Sequence, residues 1–376
     1  MTRSAADTLI VGGGLIGCSL ASELSERGQR VVVLERGEPG AEASSAAAGM
    51  LSPQSDARAR DEMFDLGLES LAMYPEWVRR LREETGVDPG FRRTGVLRCA
   101  FSDAGRESLA ADYSWQSSAG LAVEMRTGEE LERDRAESGL SAEVAAAVLF
   151  AEEAAIEPRR LARAARLLAE RRGAEVRSGV GARRFVIERG RCSGVETDEG
   201  ILTANAVVDA AGAWAAFDLG LPFAVPVRPV RGQIVALRAE GAPPARIACS
   251  EDAYVLPRPD GTVIVGSTLE TVGFRKAVTA GAVARLIEAA ERLVPRLAES
   301  RFEDAWSGLR PGTPDGWPIL GGSPVRGLYF AAGHFRSGIL LAPVTARLVS
   351  DAILGEPAAR LEAFSIERFA GRLSVS

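Results

Sequence analysis

The sequence predicts an α/β protein in which a doubly wound, mostly parallel sheet is interleaved with a second domain built on an antiparallel sheet. Three short apolar runs, which end at Gly12, Gly212 and Gly333, lie far apart in the chain. Such continuous apolar runs are typical of the buried strands of a parallel sheet. Between the second and third runs, residues 233–266 contain several short strand-like segments of the antiparallel kind. The second domain is therefore expected to be inserted into the first.

The first fifty residues have the order strand, glycine turn, helix, strand, acid. The apolar run at residues 9–11 leads into the sequence GGGLIG at residues 12–17. A helical segment over residues 18–26 and a second apolar run over residues 30–34 follow, and the run stops at Glu35. A glycine motif in this setting predicts a Rossmann-like unit that binds an adenine dinucleotide.

Each glycine of this motif has a physical role in that prediction. Gly12 permits the tight turn, Gly14 lets a pyrophosphate approach the backbone, and Gly17 lets the helix pack against the strand. The N-terminus of the helix then offers free N–H groups and a positive dipole end to the phosphates. Glu35 lies about 20 residues beyond the turn, where its carboxylate can accept a hydrogen bond from a ribose hydroxyl.

The rest of the chain alternates between helical and strand-like patterns. Helices are predicted over residues 61–85, from residue 102, and over residues 159–172, 278–293 and 338–353. Strands are predicted over residues 91–101, 149–156, 175–177, 184–188, 194–197, 206–211, 233–237, 254–257, 262–266 and 328–333. Residues 37–53 and 306–316 are predicted to be loops. These elements predict a discontinuous cofactor domain (residues 1–85, 150–220 and 320–376) and a substrate domain (residues 86–149 and 221–319).

Composition excludes several classes of function. The 376 residues carry a net charge of −6, which gives no support for nucleic acid or an anionic membrane surface as a partner. No signal peptide or membrane-spanning run is recognisable. Four cysteines without a CxxC pair predict neither a zinc site nor a disulfide framework, so a reduced, cytoplasmic setting is expected. With His334 as the single histidine, a metal site or a Ser-His-Asp mechanism is not expected.

The redox cofactor is expected to be FAD. The chain has no second GxGxxG motif, which disfavours NAD(P)H as an additional partner, although a simple nicotinamide dehydrogenase remains open from the first fifty residues alone. Two arginines lie among small residues in the second half: Arg310 in WSGLRPGTPDG, and Arg336 in GHFRSGI. The planar fork of arginine suits a bidentate contact with a carboxylate.

These residues resemble a known family. The glycine turn with Glu35, SAAAGML at residues 45–51, DAYVLPR at residues 252–258, the Arg310 segment and GHFRSGILLAP at residues 333–343 are similar, in this order, to the FAD-dependent D-amino acid oxidase family. Within that family the chain resembles the glycine oxidases of the thiamine pathway. The resemblance spans nearly the full chain, and the second and last motifs are the most specific.

The resemblance implies roles for named residues. Arg310 would pair with the substrate carboxylate with help from the Tyr254 hydroxyl, and Arg336 would line the same site. The turn from His334 to Leu340 would cradle the flavin ring, and His334 would be a positioning residue. The other residues that would contact a non-covalent FAD are Gly12, Gly14, Leu15, Ile16, Gly17, Glu35, Arg36, Ala43, Ser44, Ala48, Gly49, Met50, Ala182, Gly212, Phe335, Ser337, Gly338 and Ile339.

The implied reaction is oxidative deamination of glycine, and also of sarcosine and small D-amino acids, with dioxygen as oxidant and hydrogen peroxide as product. The resemblance also implies a homotetramer and a possible hand-over of the imine to a thiazole synthase. Asp252 stands where some glycine oxidases carry histidine, which leaves the amine preference open. The alternatives are an amine oxidase for sarcosine, proline or larger D-amino acids, a quinone-linked dehydrogenase, and a flavin-binding subunit without turnover.

Overall fold

The computed structural model describes residues 6–217, 219–241 and 243–372. One layer is a six-stranded sheet in which every neighbouring pair is parallel except the first. Its strands, in spatial order, are Ile319–Gly322, Leu328–Ala332, Ala206–Asp209, Thr8–Val11, Val31–Glu35 and Glu175–Ser178. The three apolar runs that end in glycine are thus adjacent strands, as the sequence predicted.

Both faces of this sheet are covered. Alternate strand residues such as Ile10 and Val208 pack against a layer of helices, and their neighbours Leu9 and Val207 pack on the opposite face. The helices are Leu15–Glu26, Glu62–Thr85, Pro158–Arg171 and Ala342–Leu354. The opposite face is covered by a three-stranded antiparallel sheet of Ala182–Glu188, Arg191–Thr197 and Gly200–Thr203. Burial on both faces explains why the inner strands are almost entirely apolar, whereas the edge strand Glu175–Ser178 is polar and exposed at both ends.

The second large layer is an eight-stranded sheet, antiparallel except where Ile247–Cys249 runs parallel to Val96–Ala100. Its strands, in spatial order, are Arg301–Gly312, Arg228–Arg238, Thr262–Gly266, Tyr254–Pro257, Ile247–Cys249, Val96–Ala100, Ala146–Phe150 and Glu124–Arg126. The helices Asp103–Ser118, Gly128–Ser138 and Ala280–Leu293 pack on it.

Short elements connect the two layers. A small sheet consists of Met50–Leu51, Ala154–Ala155 and Arg92–Arg93. The helix Ala43–Ala46 precedes it, and short 3₁₀ helices are Gly212–Ala216, Pro295–Glu299, Ala359–Phe364 and Ile366–Arg372.

Several sequence-based predictions need correction. Residues 306–312 are not a loop: they belong to the twelve-residue strand Arg301–Gly312, because pairing along the whole of Arg228–Arg238 outweighs the low strand propensity of Gly308 and Gly312. The last helix begins at Ala342 rather than residue 338, since residues 333–341 form successive turns. The predicted loop over residues 37–53 contains a short helix and a strand.

Candidate functional site

A cavity of about 670 Å³ lies where the two large sheets approach each other. The carboxyl end of Thr8–Val11 opens into it, next to the carboxyl end of Ala206–Asp209. The cavity reaches from these strand ends to the middle of Arg301–Gly312 in the antiparallel sheet. In open α/β sheets, ligands bind at this edge, outside the carboxyl ends of the strands.

The glycine turn leaves no room for side chains at two positions. Gly12 has φ +111°, and a Cβ there would lie 2.4 Å from the carbonyl oxygen of Ala210. A Cβ on Gly17 would lie 2.0 Å from the carbonyl oxygen of Gly12. The turn and the first turn of the helix Leu15–Glu26 are therefore packed backbone to backbone. This packing directs the N-terminus of the helix at the cavity, where an anion is favoured.

Glu35 closes the other side of the turn. Its Oε2 accepts a hydrogen bond from the backbone N–H of Gly13 at 2.9 Å, and its Oε1 accepts from that of Gly37 at 2.9 Å. The Oγ of Ser44 accepts from the N–H of Leu15 at 2.9 Å. One strand end, one helix start and the helix Ala43–Ala46 are thus joined around the same part of the cavity wall.

The small-residue segment at residues 46–50 is held from both sides. Trp306 donates through Nε1 to the carbonyl oxygen of Ala46 at 3.0 Å, and a Cβ on Gly308 would lie 2.5 Å from the Cβ of Ala46. The guanidinium of buried Arg258 donates to the carbonyl oxygen of Ala48 at 2.6 Å. Close approach of the strand Arg301–Gly312 to this segment therefore requires the small residues that the sequence places here.

At the far end of the cavity, the guanidinium of Arg36 lies over the ring of Trp214, 3.7 Å from its centroid. Both residues line the cavity together with Phe217 and Leu219. An aromatic–cation pair of this kind forms a flat wall against which a planar group can pack.

Arg310 lies at the opposite end, on the antiparallel sheet. Its Nη2 donates to Ser267 Oγ at 2.6 Å and its Nη1 donates to the carbonyl oxygen of Thr268 at 3.1 Å. Within the part of the chain that the structure describes, Arg310 forms no ion pair with a carboxylate. Burial, and secondarily the charge of Arg336, lower the pKa of Arg310. A cation desolvated in this way favours an anionic ligand.

Tyr254 lies close to Arg310 and to the end of the strand Thr262–Gly266. A Cβ on Gly266 would lie 2.3 Å from the Tyr254 hydroxyl oxygen, so the ring fits only because that residue is glycine. Burial raises the pKa of the Tyr254 phenol, although Arg310 and a hydrogen bond with Ser267 oppose the rise. The phenol is therefore protonated near neutral pH and can donate a hydrogen bond.

The segment from His334 to Leu340 forms turns that lead into the helix Ala342–Leu354. The N–H of Phe335, which has φ +47°, donates to the carbonyl oxygen of Pro311 at 2.9 Å. His334 is buried with Nε2 3.0 Å from Thr345 Oγ1, and burial lowers its pKa to about 3. Its imidazole is thus neutral near pH 7, which fits a positioning role better than proton transfer.

Charged residues surround the open side of the cavity. Arg336 lies 4.0 Å from Asp56, and both side chains are about half exposed. Arg98 also lines the cavity and pairs with buried Asp112. Asp252, predicted at the rim, lines the cavity and lies 3.7 Å from Arg292.

The structure brings most predicted site residues into one cavity wall. Those that line it are Gly12, Gly14, Leu15, Ile16, Glu35, Arg36, Ala43, Ser44, Ala48, Gly49, Met50, Ala182, Gly212, Tyr254, Arg310, His334, Phe335, Arg336, Gly338 and Ile339. Gly17, Ser337 and Leu340 do not line it. Gly17 instead packs against the turn, and the carbonyl oxygen of Leu340 accepts a hydrogen bond from Ser70 Oγ at 2.6 Å.

Sequence reasoning missed several residues of this wall, among them Asp56, Arg98, Trp214, Gly232 and Ser267. None belongs to a motif with a recognisable spacing, and each reaches the cavity through tertiary pairing. No local signal marked Gly232 either, because the strand predicted from the sequence begins at residue 233. In the structure Gly232 is interior to the strand Arg228–Arg238, where a glycine indicates a close approach.

In the part of the chain that the structure describes, no group of three or more His, Cys, Asp or Glu side chains could hold a metal ion. Over the same residues, the helices are too short or too polar for one to cross a lipid bilayer.

The sequence profile of the family described as "DAO: FAD dependent oxidoreductase" matches residues 7–352. Among curated proteins, the "Bifunctional protein ThiO/ThiG" of Trichormus variabilis is 37% identical over 94% of this chain. The match covers 53% of that relative, so the chain spans about half its length. The "Glycine oxidase" of Geobacillus kaustophilus is 36% identical, and the match covers 98% of both chains.

The solved structures agree with these sequence matches. The crystal structure of glycine oxidase from Geobacillus kaustophilus superposes with a TM-score of 0.92 at 35% identity, over 96% of this chain and 98% of that one. The L-proline dehydrogenase of P. horikoshii has a TM-score of 0.87 at 22% identity, over 99% of this chain and 100% of that one, a likeness that shows the fold alone.

Proposed function

Because the chain belongs to the family of FAD-dependent oxidoreductases, we propose that it oxidises glycine, with FAD in the cavity described above. The main support is Arg310, which lines the same cavity as the glycine turn. Its guanidinium is desolvated and has no carboxylate partner among the described residues. Glycine as the substrate is supported by the glycine oxidase relative, which is 36% identical over nearly the full chain, and by the glycine oxidase crystal structure at 35% identity.

The residues present fit FAD. A Cβ would fill the turn at Gly12, and the N-terminus of Leu15–Glu26, whose N-cap residue Gly14 makes no side-chain cap hydrogen bond, suits a pyrophosphate. Glu35 would accept from the ribose, and Arg36 with Trp214 would flank the adenine end. The turns from His334 to Leu340 would lie against the flavin ring, which we propose to be non-covalent. When bound, FAD would supply the two-electron oxidation of the substrate, and dioxygen would reoxidise it.

The chain's own residues would do the binding and orienting. Arg310 would hold the substrate carboxylate in a bidentate contact, while the Tyr254 hydroxyl donates a second hydrogen bond to it. Fixing the carboxylate orients the α-carbon and its hydrogen, and such positioning supplies much of the rate. His334 is neutral and its Nε2 faces Thr345, so it would support the turn rather than move a proton.

The overall reaction is glycine, dioxygen and water to glyoxylate, ammonia and hydrogen peroxide. The amine nitrogen must be neutral when the α-hydrogen leaves, so the ammonium form of glycine first gives a proton to water, and no side-chain base is assigned to this step. Sarcosine and small D-amino acids share the carboxylate and amine, and we propose them as secondary substrates. An amine oxidase for proline, sarcosine or larger D-amino acids remains a second candidate, since these substrates offer Arg310 the same carboxylate.

We further propose that the imine product feeds thiazole formation for thiamine. The support is the ThiO/ThiG relative, of which this chain matches 53%. The resemblance stated from the sequence also leads us to propose a homotetramer, which light scattering of the purified protein would test. We also propose the division into two domains at residues 86, 150, 221 and 320.

Anaerobic mixing of the purified yellow protein with glycine tests the main proposal. We expect the visible flavin band to bleach, and to return with release of hydrogen peroxide when air is admitted. Bleaching by proline or a bulky D-amino acid but not by glycine would keep the fold and overturn the substrate. Bleaching that reverses with a quinone but not with air would indicate a dehydrogenase. No bleaching with any amine would indicate a flavin-binding subunit.

A further inference from the structure

The direction of the Arg310 guanidinium depends on two adjacent residues. Ser267 and Thr268 supply its hydrogen-bond acceptors, and both follow directly after the strand Thr262–Gly266. No carboxylate among the described residues restrains the guanidinium from another side. Whatever holds residues 267–268 in place therefore also sets the direction of Arg310.

Residues 267–270 form an irregular continuation of the sheet. The regular ladder ends where Ile234 pairs with Gly266, and the next pairing is between Arg231 and Glu270, whose N–H and C=O groups exchange hydrogen bonds of 2.9 Å. The segment is thus one residue longer than the facing part of Arg228–Arg238. Such a bulge re-aims the side chains of the longer strand, and here it presents Ser267 Oγ and the Thr268 carbonyl to Arg310.

The carboxylate of Glu270 holds this bulge together. Its Oε1 accepts hydrogen bonds from Thr268 Oγ1 and from Gln233 Nε2, each at 2.6 Å, and its Oε2 accepts from Arg231. Gln233 also donates its N–H to Thr268 Oγ1 at 2.9 Å. Arg231 is 5% exposed and donates to the carbonyl oxygen of Ala277 at 2.8 Å.

This network lies behind the sheet that carries Arg310. Side chains alternate along a strand, so Arg231 and Gln233 face away from the side on which Gly232 underlies Arg310. None of Arg231, Gln233 and Glu270 lines the cavity. Burial alone would raise the pKa of Glu270, but hydrogen bonds from Arg231, Thr268 and Gln233 outweigh it and lower that pKa to about 2. Glu270 is therefore ionised near neutral pH.

We propose that Glu270, with Arg231, is a positioning residue for substrate binding: it fixes the bulge at residues 267–268, which in turn aims Arg310 at the substrate carboxylate. The inference rests on the proposed function, since it assigns Arg310 the carboxylate. Loss of the Glu270 carboxylate would remove no side chain that lines the cavity, but it would release Thr268 and leave buried Arg231 without its ion pair.

The test compares Glu270→Ala and Glu270→Gln with the wild-type holoenzyme. The matched control is Glu303→Ala. The carboxylate of Glu303 lies 2.7 Å from Arg238, which is on the same strand as Arg231, but this ion pair is far from Arg310. FAD content and the visible spectrum are measured first. KM and kcat for glycine follow, with the dissociation constant of glycolate, a simple carboxylate, measured from the perturbation of the flavin spectrum.

We expect Glu270→Ala to raise the KM for glycine and the glycolate dissociation constant about tenfold or more, with FAD content retained and kcat changed far less. Glu270→Gln keeps an oxygen for Thr268 and should recover part of this. In the Arg310→Ala background, Glu270→Ala should have no further effect on glycolate binding. Glu303→Ala should match wild type. Should Glu270→Ala not fold, Thr268→Val cuts the same link and is expected to weaken glycolate binding in the same direction.

Equal glycolate binding by wild type and the Glu270 and Thr268 variants would overturn the inference and leave the proposed function standing. An undiminished effect of Glu270→Ala in the Arg310→Ala background would also overturn it, because Glu270 would then act elsewhere. If wild-type holoenzyme neither binds glycolate nor bleaches with glycine, the proposed function fails first and the inference fails with it.

Discussion

The guanidinium of Arg310 occupies the space that any side chain on Gly232 would need. A Cβ on Gly232 would lie 2.1 Å from Arg310 Nη1, although the two residues are on neighbouring strands and far apart in sequence. Arg310 therefore lies flat over the backbone of Arg228–Arg238, and its fork opens into the cavity. The pair explains why an interior strand position, which disfavours glycine, carries one here.

Gly232→Ala should accordingly weaken substrate binding by displacing the guanidinium. We expect FAD to remain bound and the KM for glycine to rise about tenfold or more, as expected for a lost binding contact. Steady-state kinetics with a flavin assay checks this. Gly322→Ala is the matched control, because that strand glycine has open space around its Cβ position. An unchanged KM in Gly232→Ala would show that Arg310 does not depend on this contact.

Arg310→Ala should remove the carboxylate contact itself. Truncating one partner of a buried charged contact costs about 2–5 kcal/mol, so kcat/KM for glycine should fall roughly thirtyfold to a few thousandfold. Arg310→Lys keeps the charge but not the fork and should lie between. Arg301→Ala, an exposed residue at the other end of the same strand, is the control. Wild-type kcat/KM in Arg310→Ala would rule Arg310 out as the carboxylate ligand.

The N-terminal unit could be predicted from sequence because its signals are local. Gly12, Gly17 and Glu35 act within one strand–turn–helix–strand unit, and the structure gives them the close contacts that the spacing implies. The parallel arrangement of the three apolar runs followed from their buried, glycine-ended pattern. The family and FAD were reached through motifs that keep their order along the chain.

The substrate end could be predicted only in part. Arg310 was recognised as a candidate, but its segment was wrongly predicted to be a loop, since its partner Val230 lies in a distant strand. The bulge that carries Ser267 depends on pairing between Arg231 and Glu270, which no local pattern reveals. The roles assigned to single residues stay predictions, and the variants described here test them for Gly17, Arg310 and His334. The domain boundaries stay predictions as well.

Gly17→Ala should abolish FAD binding. Its Cβ would lie 2.0 Å from the carbonyl oxygen of Gly12, so the helix Leu15–Glu26 must move away from the turn that would hold the pyrophosphate. We expect protein that is colourless as purified and whose melting temperature does not rise on addition of FAD. Gly281→Ala, in the helix Ala280–Leu293, meets only ordinary contacts and should remain yellow. A yellow Gly17→Ala protein with wild-type FAD content would contradict the packing described here.

Glu153 should make the protein less stable as the pH rises. Glu153 is fully buried, and its Oε1 accepts hydrogen bonds from the N–H groups of Gln54 and Ser55 at 2.7 and 2.8 Å. Its Oε2 has no hydrogen-bond partner among the described residues. Burial raises its pKa from 4.5 to about 8, despite these hydrogen bonds. Because the folded-state pKa is the higher one, the stabilisation is present below pH 4.5 and is lost as the pH rises towards 8.

Glu153→Gln keeps an acceptor for both N–H groups and removes the titration. We expect it to stabilise the protein by roughly 1–3 kcal/mol at pH 8 and to have little effect at pH 4.5. Urea unfolding at several pH values measures this. Glu152→Gln, at the neighbouring half-exposed position, is the control and should follow wild type. A stability difference between Glu153→Gln and wild type that does not change with pH would contradict the raised pKa.

His334 should stay uncharged throughout the working pH range. Burial lowers its pKa from 6.5 to about 3, so the unfolded chain takes up a proton below pH 6.5 that the folded protein does not, and stability falls as the pH is lowered. Because His334 is the only histidine, a tag-free sample has one imidazole C2–H signal in its NMR spectrum. We expect this signal not to shift between pH 8 and pH 5.

Thr345→Val tests whether burial or the hydrogen bond with Thr345 lowers the pKa of His334. Thr345 Oγ1 lies 3.0 Å from His334 Nε2, and valine removes that oxygen while it keeps the shape of the side chain. If burial is the cause, the signal should still not titrate in the variant, although its position can change. A midpoint near 6.5 in wild type would show that His334 is hydrated and would return it to consideration as a proton carrier. A midpoint that appears only in Thr345→Val would assign the low pKa to the hydrogen bond instead.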